Sequence, residues 1–222
     1  MLRYYKPYDL PLESKRVVAE MWDETLRKGM FTNGEVAGVF TLRMQEKMGY
    51  EYVLPVGQGT GALFLLAAYY KAVKGKIGVR VPEFTWPSSY QAFRWLGYRV
   101  EFVDIDADTW LPVFLGEPNE DHGWMDLPVD NFGNVYPIGP AAAIDSAQSI
   151  GAKWDTDPTR IVSLSGSKII TSGEGGFILT QDSDIYSWCK ERRYWFSRMN
   201  EMEAALGLAY LDALPNIMVR KA

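Results

Sequence analysis

The residues of this sequence best suited to chemistry gather around one lysine. Lys168 stands between a strand candidate and the glycine-rich run Ser172-Gly173-Glu174-Gly175-Gly176, a loop-held position near the sheet edge where open α/β folds bind ligands. A lysine stripped of water there serves as an amine nucleophile. It also closes Ser165-Gly166-Ser167-Lys168, the Ser-x-x-Lys pair of serine acyl enzymes, but the Ser-Asp-Asn and Lys-Thr-Gly motifs that accompany that pair are absent. Asp145 ends the apolar run Ala141-Ala142-Ala143-Ile144, so its carboxylate falls at the tip of a buried strand. An unpaired carboxylate is costly there, so Asp145 either caps a helix or meets a cation. Gly57-Gln58-Gly59-Thr60-Gly61 joins a strand candidate to a helix, where backbone N–H groups and the helix dipole favour a phosphate. This turn is an anion site or a plain helix start. Its third glycine comes one residue early for a dinucleotide fingerprint, and no Gly-Lys-Ser/Thr follows for a P-loop.

Two further patterns lead away from metal chemistry. Asp104, Asp106 and Asp108 alternate and would share one face of an extended segment, but a calcium loop needs Gly where Thr109 stands and Glu where Leu115 stands. They read as a solvated strand end, and His122, in an acidic stretch, as a surface residue. One His and one Cys, Cys189, do not make the usual structural zinc site, and Cys189 has no partner for an intramolecular disulfide.

The elements that must position these residues follow from periodicity. Apolar residues recur at helical spacing over 12–27 and 36–48, where Val36, Phe40, Met44 and Met48 are four apart. From Tyr52 onward short apolar runs alternate with helical patterns: strands at 52–56, 78–81 and 99–103, with helices over 63–72 and 90–96. Further strands are expected at 141–144, 160–164 and 176–180, with a weaker one over 124–129, about seven in all. A last helix is expected over 199–214. This is the rhythm of a mostly parallel sheet with helices on both faces.

Composition limits the function classes. The 222 residues are 47% hydrophobic and 23% charged, an ordinary globular composition. Lys and Arg number 23 against 28 Asp and Glu, and the net charge of -5 argues against nucleic-acid or anionic-membrane binding by bulk electrostatics. The longest apolar stretch, 61–70, is about half a bilayer span, and the amino end lacks the apolar core of a signal peptide. A cytoplasmic setting is expected.

With these pieces placed, the segment from Ser163 through Lys168 to Gly176 resembles the lysine segment of the pyridoxal-phosphate-dependent sugar aminotransferases of the DegT/DnrJ/StrS group. Other segments agree in order: Thr32-Asn33-Gly34 with Phe40, Gly59-Thr60-Gly61-Ala62-Leu63, Pro82-Glu83-Phe84-Thr85-Trp86 through Asp106, Ile144-Asp145-Ser146-Ala147-Gln148, and Arg198-Met199 followed by 203–208. The resemblance implies a fold-type-I large domain, an α/β/α sandwich, acting as an aminotransferase, with three stretches along the chain. These are a helical 1–50, a cofactor-binding 51–185 and a shortened helical 186–222. It implies pyridoxal 5'-phosphate held by Lys168 as a Schiff base, Asp145 on the pyridine nitrogen, Trp86 stacked on the ring, Thr60, Gly61 and Ser163 on the phosphate, and Gln148 beside the ring. It also implies a homodimer, an amino-acid donor, and a carbonyl acceptor that is sugar- or nucleotide-linked.

The sequence departs from that pattern in three places. Ser165 stands where the family usually has His. Tyr194-Trp195-Phe196-Ser197 replaces Gly-Tyr-Asn-Tyr, which removes the Asn that reaches the neighbouring subunit's cofactor phosphate. The chain also reads as a shortened form lacking most of the carboxyl-terminal domain, so an open pocket suited to a bulky or phosphate-bearing acceptor is expected. Between Trp188 and Met199, Lys190, Arg192, Arg193 and Arg198 interleave with aromatic rings. Arg192 and Arg193 are the substrate-binding candidates, the alternative being a helix end with a dimer contact. Two other functions stay open: a lyase, decarboxylase or racemase using the same cofactor, and a non-catalytic binding module.

Overall fold

The computed structural model describes residues 8–116, 123–131, 143–152, 157–195 and 197–221. His122, Phe196 and the first two residues of the expected 141–144 strand lie outside these.

Three amphipathic helices carry the amino-terminal half: α1 (Leu12–Lys28), α2 (Glu35–Met48) and α3 (Gly59–Lys74). Each stops at a glycine in the left-handed region, Gly29, Gly49 and Gly75, whose N–H returns to a carbonyl of the last turn. Helix α3 starts four residues earlier than periodicity suggests, because Gly59 and Gly61 of the turn are themselves its first helical residues. Strands β1 (Tyr52–Val56), β2 (Gly78–Pro82) and β3 (Arg99–Val103) follow, with α4 (Ser88–Trp95) between the last two. Then come β4 (Trp124–Asp126), β5 (Ile144–Asp145), β6 (Arg160–Ser163) and β7 (Gly176–Thr180). Strand β6 ends one residue short of expectation, since Leu164 N–H donates to Gly175 O and turns the chain into the lysine loop.

Two helices differ from the sequence reading. Helix α5 (Ser183–Arg193) buries only Ile185 and Cys189, too sparse a stripe to show as periodicity, and Asp182 caps it by accepting from Asp184 N and Ile185 N. The single helix expected over 199–214 is two, α6 (Glu201–Asp212) and α7 (Leu214–Lys221). Pro215 explains the break: it fits the first turn of a new helix but its ring clashes with a continued one.

The strands run β1-β7-β6-β5 in one group and β3-β2-β4 in the other. A parallel bridge between Val129 and Asp145, with Asp130 N donating to Asp145 O and Asp145 N to Pro128 O, joins them at the β4 and β5 edges. Strand β7 runs antiparallel to β1 and β6, and the other pairs are parallel. Two apolar cores fill the faces. One gathers α3, α4 and α5 over Leu54, Val79, Ile161 and Ile178; the other gathers α2, α6 and α7 over Val53, Val162, Phe177 and Leu179. The alternation of neighbours such as Ile178 and Leu179 between the two cores is the strand period at work. The result is an α/β/α sandwich. Beside it, buried Arg80 pairs with Asp126 at 2.6 Å and donates to Leu115 O and Gly116 O, pinning the segment after β3. Asp106 accepts from Asp108 N, Thr109 N and the Thr109 hydroxyl, so that acid closes its own turn.

Candidate active site

The carboxyl ends of β5 and β6 and the amino end of α3 converge on a cavity of about 380 Å³. Open α/β sheets offer such a crevice where neighbouring connections leave on opposite sides. Its walls include Thr60, Trp86, Asp145, Gln148, Ser163 and Lys168, six of the residues singled out in the sequence. The remaining three are elsewhere. Gly61 lies behind the wall, where a Cβ would stand 2.1 Å from Ser197 Oγ, so close approach of that serine accounts for the glycine. Arg193 donates to Pro55 O, and the Arg192 guanidinium carbon lies over the Trp188 ring at 4.1 Å from its centre, with a contact to Glu191.

Asp145 is 3% exposed, and its position is tightly specified. Ser89 Oγ of α4 donates to Oδ2 at 2.7 Å, and Ala147 N–H donates to Oδ1 at 3.0 Å. Thr85 Oγ1 in turn contacts Ser89 Oγ at 2.8 Å. Burial pushes the Asp145 carboxyl above its ordinary range; the Ser89 and Ala147 bonds and the Lys168 charge oppose that, while Asp130 adds to it. Burial likewise lowers the Lys168 amine, against the attraction of Asp145. A carboxylate and an amine that both lose solvent suit a ligand bringing a cation to the first and an electrophile to the second.

On another part of the wall, no side chain caps α3 at Gln58, and Gly59 sits so close to β6 that a Cβ would lie 2.8 Å from Ser163 Cβ. The first turn of α3 thus faces the cavity with its dipole and with the hydroxyls of Thr60, Ser88 and Ser163, Thr60 Oγ1 donating to Ser88 Oγ at 3.0 Å. That donor set fits a phosphate. Trp86, 72% exposed, stands at the mouth and has no core to fill.

Four polar wall residues were not singled out in the sequence, Ser88, Ser89, Asp130 and Asn131, whereas Thr85, Ser165, Ser167 and Glu174 stand in the quoted motifs without an assigned contact. The hydroxyls around Trp86, in Thr85-Trp86-Pro87-Ser88-Ser89, were the available signal. Asn131 is placed by donation to Phe84 O at 2.9 Å. Among the described residues no group of three metal-ligating side chains comes together, and no helix is long and apolar enough to cross a membrane.

A profile of the DegT/DnrJ/EryC1/StrS aminotransferase family matches residues 13–114 and 141–222. GDP-perosamine synthase of Escherichia coli O157:H7 is 27% identical over 257 aligned positions, covering 98% of this chain and 67% of that protein. Among solved structures, GDP-4-keto-6-deoxymannose-3-dehydratase with bound GDP-perosamine superposes with a TM-score of 0.80 at 22% identity, covering 98% of this chain and 70% of that one. NtdA from Bacillus subtilis with bound cofactor PMP gives a TM-score of 0.76 at 18% identity, covering 96% and 57%. The fold is therefore that of these fold-type-I proteins. The chain spans 46% to 67% of the length of the first four curated relatives it matches.

Proposed function

The chain belongs to the DegT/DnrJ/EryC1/StrS aminotransferase family, and from that premise we propose that it moves an amino group from an amino-acid donor to a carbonyl acceptor with pyridoxal 5'-phosphate as cofactor. The observation that carries this reading is the convergence of Lys168 and Asp145 in one cavity headed by the amino end of α3. When bound, the cofactor supplies an electrophilic carbon and a pyridine ring that draws electrons from the substrate. Lys168 Nζ would hold it covalently and, once free, would carry a proton to or from the substrate carbon; burial favours the neutral amine that nucleophilic attack and proton acceptance need. Asp145 would pair with the pyridine nitrogen, which would give the buried charge a cation. The first turn of α3 with Thr60 and Ser163 would hold the phosphate, and Gln148 and Trp86 would hold the ring.

The relatives' names support a nucleotide-linked sugar as acceptor. Of the two substrate-binding candidates, Arg193 is committed to Pro55 O, which leaves Arg192, itself held on Trp188 and Glu191, as the one proposed to meet a phosphate-bearing acceptor. The exposed rings of Trp86, Phe84, Trp110 and Trp195 support a homodimer that covers them. Cys189, buried as a thiol, suits a reducing, cytoplasmic setting. A relative named as a 3-dehydratase keeps a lyase as the second reading.

The purified chain with added pyridoxal phosphate should absorb visible light, and borohydride should fix the label on the peptide carrying Lys168. Release of a keto acid from an amino donor should then accompany loss of that absorbance. A label on another lysine, or an unlabelled chain, would sink the assignment; turnover of a sugar substrate without keto-acid release would favour the lyase.

A further inference from the structure

Strand β6 contributes to both faces of the sheet. Ile161 and Ser163 line the cavity, whereas Val162 joins the opposite core, and Arg160, two residues away, shares its side. Arg160 is 3% exposed. Its guanidinium reaches along one short segment: Nε donates to Ser146 Oγ at 3.1 Å, Nη2 to Ser149 O at 2.9 Å and Nη1 to Ala152 O at 3.4 Å. Burial disfavours its charge, and Tyr50 and Asp130 favour it.

The segment so held, 146–152, follows β5 directly. It consists of tight turns, with Ser149 N donating to Ser146 O and Ala152 N to Ser149 O. The Ala147 N–H that meets Asp145 Oδ1 and the Gln148 side chain on the cavity wall both belong to it. Short turns of this kind have few bonds of their own to resist movement. A planar fork with several fixed donors is suited to fastening such a turn at several points, in a way a single ammonium does not reproduce.

We propose that Arg160 is a positioning residue for the cavity: by fixing the 146–152 turn from the far side of the sheet, it keeps the Ala147 N–H on Asp145 and Gln148 on the wall. It touches no reacting atom. Its functional consequence rests on the proposed cofactor role of Asp145, whereas the mechanical tie rests on the hydrogen bonds alone.

The test compares the parent chain with R160M and R160K. In the cofactor-free chains, hydrogen exchange of the peptide covering 145–152 should quicken about tenfold in R160M, the loss expected for a charged hydrogen bond, with helix α1 unchanged. The dissociation constant of pyridoxal phosphate, read by visible absorbance, should rise about tenfold in R160M and less in R160K. Should R160M not fold, S146A, which removes only the Nε acceptor, carries the same comparison. Unchanged exchange over 145–152, loosening spread evenly over the whole chain, or unchanged cofactor affinity despite a loosened turn would each overturn the proposal. Failure of the parent itself to take up pyridoxal phosphate would overturn the cofactor reading and the functional role with it, while the exchange comparison would still decide the mechanical tie.

Discussion

Asp145 holds its place against an unfavourable environment. Burial raises its carboxyl above the unfolded value, so the folded chain binds that proton more tightly than the unfolded one. The stability this brings is full below the ordinary carboxylate range and is lost as pH rises through the raised value. Asp145→Asn removes the charge at every pH while keeping the shape. The cofactor-free variant should therefore melt above the parent at neutral pH and approach it in acid, by calorimetry at two pH values. With cofactor the order should reverse, and turnover should drop by roughly a hundredfold if about 3 kcal/mol of the ion pair is expressed in the transition state. A gap independent of pH would count against the shifted carboxyl. Trp86 gives a complementary test, because its exposure leaves little packing to lose. Trp86→Ala should change the cofactor-free melting by no more than about 0.5 kcal/mol and weaken cofactor retention about tenfold, the order of one aromatic stacking contact. Equal destabilisation with and without cofactor would instead assign Trp86 to packing.

Among the elements, α3 couples helix geometry to the anion site. Alanine at a helical glycine ordinarily stabilises by about 0.5–1 kcal/mol, because glycine loses more backbone freedom on folding. Gly38, inside α2, has nothing within 4 Å of a Cβ, so Gly38→Ala should show that gain. At Gly59 the same methyl would stand 2.8 Å from Ser163 Cβ and 3.3 Å from its Cα. There overpacking, at about 1–3 kcal/mol, outweighs propensity. Gly59→Ala should lower the melting temperature and weaken pyridoxal phosphate binding by pushing α3 off β6. A rise in stability like that of Gly38→Ala would show that the close approach is soft. On the other face, buried Glu201 accepts from Gly34 N, Val36 N and Ala37 N, capping α2 from the start of α6. That cap, made by a residue distant in sequence, ties α2 to α6 in the layer on that face.

For the whole molecule, the question is what covers its exposed aromatic rings. Trp195 is 79% exposed and stacks edge-on with Tyr194, which carries Arg198 at 4.5 Å. Phe84 and Trp110 form a second edge-on pair near Asn131. If a second copy covers them, the chain should sediment as a dimer at micromolar concentration. Trp195→Glu should then weaken dimerisation by about 2 kcal/mol or more, as for a buried aromatic anchor. A monomer that binds cofactor as tightly as the parent assembly would remove the dimer from the reading.

Local patterns were enough to place Lys168 in its glycine-flanked loop, Asp145 at the end of a buried strand and the turn at Gly59, because each depends on neighbours close in sequence. The mostly parallel sheet was legible for the same reason: strand and helix periods alternate along the chain. Other features depended on distant contacts. Ser89 meets Asp145 across 56 positions, and Glu201 caps a helix more than 160 positions earlier. No spacing rule announces such pairs. Arg193 looked available for substrate in a basic stretch, yet the packing of α5 against β1 turns it to Pro55 O. Residue type and order thus determined which chemistry was on offer, while the tertiary structure decided which side chains share the cavity, because burial and long-range hydrogen bonds depend on how the layers meet.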